Sequence, residues 1–85
     1  MRLDKYLKVS RIIKRRTVAK EAGQGGRVTI NGKPAKPAAE VRPGDVLEIR
    51  FGDRLNRYQV INTQEHAAKA DAAAMYTVLA GEDDL

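Results

Sequence analysis

Residues 26–51 read GRVTINGKPAKPAAEVRPGDVLEIRF, a run in which apolar and polar positions alternate on either side of two turn signals. Val28 and Ile30 alternate with Arg27 and Thr29, the period of a strand with one buried face. Asn31-Gly32 follows, and this pair is a strong hairpin signal because both residues tolerate the positive φ of a two-residue turn. Pro34 and Pro37 lack the amide proton that a ladder needs, so the returning strand should be short or lie at an edge. Pro43-Gly44-Asp45 supplies a second tight turn. Leu47, Ile49 and Phe51 then alternate with Glu48 and Arg50. A loop over 52–56 is expected to lead to a third strand, with Tyr58 and Val60 on one side and Arg57 and Gln59 on the other.

Upstream of this sheet the period changes to that of a helix. Leu3, Tyr6 and Leu7 share a face, Asp4 sits where a carboxylate favours the first turn, and Lys8 lies four residues further on. Ile12 and Ile13 form an apolar patch under the connection to a second helix, near 15–22. On that helix Val18 and Ala22 are expected to face the core, and Arg16 and Lys20 nearly the opposite way. Gly23, Gly25 and Gly26 are expected to end it. Downstream, the alanine-rich stretch 64–75 favours a helix but carries no apolar stripe, so it is marginal in isolation. Met75-Tyr76-Thr77-Val78-Leu79 is apolar enough to dock on the core, and the acidic 81–85 is expected to fray. The fold class is therefore α+β: two short N-terminal helices packed on a small antiparallel sheet, with a C-terminal alanine-rich helix and tail. The expected division is 1–62 for the domain and 63–85 for the helix and tail.

The 85 residues suffice for one thin core. There is no cysteine and one histidine, so disulfides and thiolate metal sites are excluded. No apolar run approaches the ~18 residues of a membrane span. The expected protein is soluble, cytoplasmic, without cofactor or metal, and monomeric when free. Its net charge of +5 conceals a steeper asymmetry. Residues 1–36 hold eleven basic side chains against Asp4 and Glu21, a balance of +9, while residues 37–85 balance at −4. Charge segregated in this way builds a face that attracts polyanions. An acidic protein or a membrane surface is the weaker alternative.

No catalytic constellation can be assembled. His66 has no second histidine and reads as a solvated helix residue. Gly23-Gln24-Gly25-Gly26 lacks the GK[ST] of a phosphate loop, Ser10 has no nearby base, and Asp45 and Glu48 are not marked as an acid/base pair. A binder is expected rather than an enzyme. Arg2, Lys5, Lys8, Arg11, Lys14, Arg15, Arg16 and Lys20 all fall on or between the first two helices, and the arginines can clamp a phosphate bidentately. Tyr6 is the only ring among them, and its spacing places it in the core. A single-strand binder would stack bases on exposed rings, so folded RNA held by backbone and shape is the better target. A helix-turn-helix DNA reader competes, but the second helix offers no Asn or Gln to read adenine.

Four blocks carry a resemblance: Arg2-Leu3-Asp4-Lys5-x-Leu7, Arg16-x-x-Ala19-Lys20, Gly26-Arg27-Val28-x-Ile30-Asn31-Gly32 and Val41-x-Pro43-Gly44-Asp45-x-Leu47. Over about residues 2–51 the chain resembles the RNA-binding domain named after bacterial ribosomal protein S-four. The opening 1–11, Lys14-Arg15-Arg16-Thr17 and Met75-Tyr76-Thr77-Val78-Leu79 resemble, more narrowly, the ribosome-associated quality control P factor family. The resemblance implies binding to a separated large ribosomal subunit that still carries a stalled peptidyl-tRNA. It implies contacts to large-subunit rRNA and to the tRNA, and work with a tRNA-recruiting elongation partner that extends the stalled chain with alanine. It assigns RNA contact to Arg2, Lys8, Arg11, Lys14, Arg15, Arg16 and Lys20, with Asp4 orienting a neighbouring arginine; a plain first-turn helix charge is the other reading of Asp4. The related heat-shock protein fifteen family, which acts on released large subunits, is the alternative; the short acidic end of this chain departs from the long basic extension expected there. Gly23 stands where the family often has an apolar residue, so the second helix is expected to fray and Lys20 to be loosely held.

Overall fold

The computed structural model describes residues 1–81; the expected fraying of 82–85 lies outside the described residues. Helix α1 (Leu3–Val9) buries Leu3, Tyr6 and Leu7 completely, as their spacing requires. Helix α2 (Arg16–Gln24) packs beside it. Five strands follow the helices: β1 (Val28–Ile30), β2 (Lys33–Pro34), β3 (Val46–Phe51), β4 (Arg54–Val60) and, after helix α3 (Lys69–Ala73), β5 (Tyr76–Ala80). They form one antiparallel sheet in the order β2-β1-β3-β4-β5. One face supplies Val28, Leu47, Ile49, Tyr58 and Val60 to the core shared with both helices, and all five are essentially inaccessible. The α+β class is thus as read.

The turns are fixed locally. Asn31 and Gly32 have φ of 52° and 84°, the left-handed pair of a two-residue hairpin. The Asn31 side chain then ties this hairpin to the next turn: its Oδ1 accepts the Val46 N–H at 2.9 Å and its Nδ2 donates to Asp45 Oδ1 at 3.1 Å. Asp45 Oδ2 in turn accepts the Arg42 N–H at 2.9 Å across the Pro43-Gly44 corner. Pro34 ends the two-residue edge strand β2, where a missing donor costs nothing in the sheet, and Pro37 falls in the turn beyond it.

Four local expectations are corrected. Val18 is 44% exposed, and the buried face of α2 is Ala19, Ala22 and Gly23. The reason is close approach: a Cβ on Gly23 would lie 3.1 Å from the Pro37 ring, so the helix turns its smallest residues inward. Gly23 therefore belongs to the helix, which continues to Gln24 and closes at Gly25, with Gly26 at φ 73°. The loop expected over 52–56 shrinks to the turn Gly52-Asp53, and β4 starts at Arg54. The helix expected over 64–75 condenses to the five residues of α3. Lacking an apolar stripe, the rest of the segment gains more by delivering Met75 to the core than by coiling.

Strand β5 pairs with β4 along its length, and Met75, just before it, forms a hydrogen-bonding node. The Met75 carbonyl accepts the Tyr6 hydroxyl at 2.8 Å, the Ile61 N–H at 2.8 Å and the Asn62 N–H at 3.3 Å. Helix α1 is thereby tied to the strand that completes the sheet. Burial and the neighbouring Tyr76 push the Tyr6 phenol well above its usual ionisation range, so it stays a neutral donor.

Candidate nucleic-acid interface

Asp4 is the anchor of the basic face. It occupies the first turn of α1, where its N–H reaches the Pro37 carbonyl at 3.1 Å, and its side chain is 3% exposed. Arg2 grips it with two parallel bonds, Nε to Oδ1 and Nη2 to Oδ2, both 3.1 Å. Arg16, the first residue of α2, adds Nη2 to Oδ1 at 3.5 Å. Burial alone would raise the Asp4 carboxyl; the Arg2 hydrogen bonds, the charges of Arg16 and Arg2 and the Lys5 backbone N–H outweigh it and hold the group below the ordinary carboxylate value. One carboxylate thus positions two guanidiniums, each about half exposed and free to offer its remaining N–H groups outward. Asp4 orients not one arginine but two.

Beside this clamp lies an open cleft of about 510 Å³. Lys5, Lys8 and Arg11 line it from α1 and its exit, and Lys14 and Arg16 from the start of α2. Arg11 holds φ at 64°, the left-handed region that disfavours a side chain, and its N–H closes on the Lys8 carbonyl at 3.1 Å. This turn throws the chain from α1 into the connection and leaves the Arg11 side chain exposed at the cleft. Ser10 is buried under it, its Oγ donating to the Leu7 carbonyl at 3.3 Å and accepting the Ile12 N–H at 3.4 Å.

Of the residues singled out from sequence, Lys8, Arg11, Lys14 and Arg16 therefore converge on one cleft, and Arg2 joins them through Asp4. Arg15 points elsewhere, into a shallower hollow shared with Ile12, Val18 and Phe51. Lys20 is exposed on α2 and lines neither. Lys5 was not singled out as a contact, yet it lines the cleft and pairs with Glu65, whose carboxyl is lowered by that hydrogen bond and by the lysine charge. His66 is exposed in a bend rather than on a helix, and with Glu65 and Ala67 it forms the opposite wall. Nothing in its local sequence signals this, because the wall exists only once β5 has drawn the 61–68 segment across α1. Among the described residues no cluster of His, Cys, Asp or Glu is placed to hold a metal ion, and no helix is long and apolar enough to cross a membrane.

The family model of the S4 domain matches residues 1–47, which hold both helices, β1, β2 and the start of β3, and this makes the chain an S4-domain protein. The Vibrio cholerae heat shock protein 15, solved as a trimer, superposes with a TM-score of 0.84 at 30% identity, covering 94% of this chain and 82% of that one. A heat shock protein 15 homolog of Aeromonas salmonicida is 31% identical over 88% of this chain, which spans 57% of that relative's length. The RQC P-site tRNA stabilizing factor of Bacillus subtilis is 54% identical over 82 residues, 96% of this chain and 95% of the relative. At that identity, over nearly the full length of both, the chain belongs to the family of RQC P-site tRNA stabilizing factors.

Proposed function

We propose that this chain is a non-catalytic RNA-binding factor of ribosome-associated quality control, stabilising P-site tRNA on a large ribosomal subunit that carries a stalled nascent chain. The observation that carries this reading is the pair of guanidiniums shared by the buried Asp4 at the mouth of a cleft lined by five cations. Fixed arginines meet phosphates with little loss of side-chain freedom, and the cluster supplies the non-specific charge that RNA backbones require. Arg2, Lys8, Arg11, Lys14 and Arg16 make the main contacts to large-subunit rRNA and to peptidyl-tRNA, and Arg15 and Lys20 extend them along α2. The factor holds the tRNA in the donor position while a tRNA-recruiting elongation partner adds alanine, in the cytoplasm, with no bond made or broken by its own side chains. The family of the relatives supports the setting, and the charge on α1 and α2 supports the contact surface.

Lysate fractionated on a sucrose gradient tests it. The protein is expected with large subunits that retain peptidyl-tRNA, and to leave them in high salt. Arg16→Ala is expected to reduce this co-migration while changing stability by less than about 1 kcal/mol, since its ion pair is half exposed. A protein that stays at the top of the gradient at low salt overturns the proposal.

A further inference from the structure

The hollow next to the cleft has a different chemistry. It measures about 480 Å³ and is floored by Ile12, Ile13, Val18 and Phe51, with Lys14 and Arg15 at its rim. Phe51, the chain's only phenylalanine, is 37% exposed and Val18 44%. Strand β3 ends there and brings the ring to α2 across more than thirty residues of sequence. Lys14 lines both concavities, so the apolar hollow adjoins the cationic cleft. A core-forming role leaves these exposures unexplained, because the helix buries its small residues instead. Among the described residues its charged lining is Lys14 and Arg15, with no acidic side chain, which suits an anionic ligand with a flat apolar part.

We propose that the Phe51 hollow is a stacking platform for one unpaired base of the RNA whose phosphates lie in the adjoining cleft. The base lies on the Phe51 ring, Val18 and Ile12 shield it from water, and Arg15 and Lys14 hold the flanking phosphates. Aromatic rings stack on any base, so the platform selects for an unpaired nucleotide rather than for a sequence. This inference rests on the RNA-binding reading above.

The test compares hexa-adenylate RNA with an abasic ribose-phosphate strand of the same length and charge, both at low salt, on the full chain. Wild type is expected to bind hexa-adenylate roughly 5- to 100-fold more tightly than the abasic strand. Phe51→Leu, which keeps an apolar residue at an exposed strand end, is expected to erase that ratio without weakening abasic binding. The chain has no tryptophan, so Phe51→Trp is a single reporter; its fluorescence is expected to be quenched by hexa-adenylate and not by the abasic strand. Equal affinity for the two strands overturns the platform and leaves the hollow to a protein partner, as does a ratio that survives Phe51→Leu. Arg16→Glu separates the two readings: if it weakens both strands alike the RNA-binding reading stands whatever Phe51 does. If it changes neither, that reading fails and the platform with it.

Discussion

At the scale of single residues the basic surface is built from two costly choices. Arg11 adopts a left-handed backbone that costs a non-glycine residue about 1 kcal/mol or more. A glycine would hold the same turn without that strain. Arg11→Gly is therefore expected to raise the thermal midpoint by a few degrees while weakening RNA binding, a trade checked by a melting curve and a binding isotherm on the same preparation. Asp4 is a carboxylate out of water, tolerable because two guanidiniums compensate it. Its folded value is depressed, so the stability it contributes is present above the ordinary carboxylate value near pH 4 and is lost as pH falls through the lower folded value. Asp4→Asn is expected to lower stability at neutral pH by about 1–2 kcal/mol. It should also flatten the fall in thermal midpoint between about pH 5 and pH 2, measured by circular dichroism. RNA affinity falls with it, because Arg2 and Arg16 lose their common anchor.

Among the elements, what could be read from sequence followed how local each determinant is. The β1–β2 hairpin was legible because Asn31-Gly32 encodes its own backbone, and α1 because Leu3, Tyr6 and Leu7 mark its face by hydropathy. The phase of α2 was not, because its inward face is made of alanine and glycine and its most apolar residue, Val18, points to solvent. Only the contact with Pro37 fixes that phase, and a contact across fourteen residues leaves no periodic trace. The basic stretch was legible as charge, but not its sorting into a cleft, a clamp and a second hollow, nor the wall of Glu65 and His66. The docking of β5 has its own test. Met75→Ala removes a fully buried side chain and is expected to cost about 2–4 kcal/mol, much of the stability of a domain this small. Tyr6→Phe is expected to cost only about 1 kcal/mol, since the Met75 carbonyl keeps the Ile61 and Asn62 donors. Urea titrations of the two variants check the order; a Tyr6→Phe loss as large as that of Met75→Ala would mean that the hydroxyl, not the packing, holds the strand.

For the molecule as a whole, charge is divided along the chain, and the +9 of residues 1–36 includes every cation of the cleft. If those five side chains each meet a phosphate, the logarithm of RNA affinity is expected to fall by about 3.5–4.5 per tenfold rise in salt. Replacing one cleft cation should reduce that slope by about one, read from binding isotherms between 50 and 300 mM salt (roughly the range over which such slopes are linear). The Tyr6–Met75 bond joins residues 69 apart, and this sets an order of events during synthesis. The basic helices emerge from the ribosome first, but α1 acquires its hydroxyl acceptor, the sheet its fifth strand and the cleft its far wall only when residues 65–80 follow. A copy whose own translation halts before β5 is expected to carry all the cations of the cleft without that closure, and so to fold less stably than the whole chain.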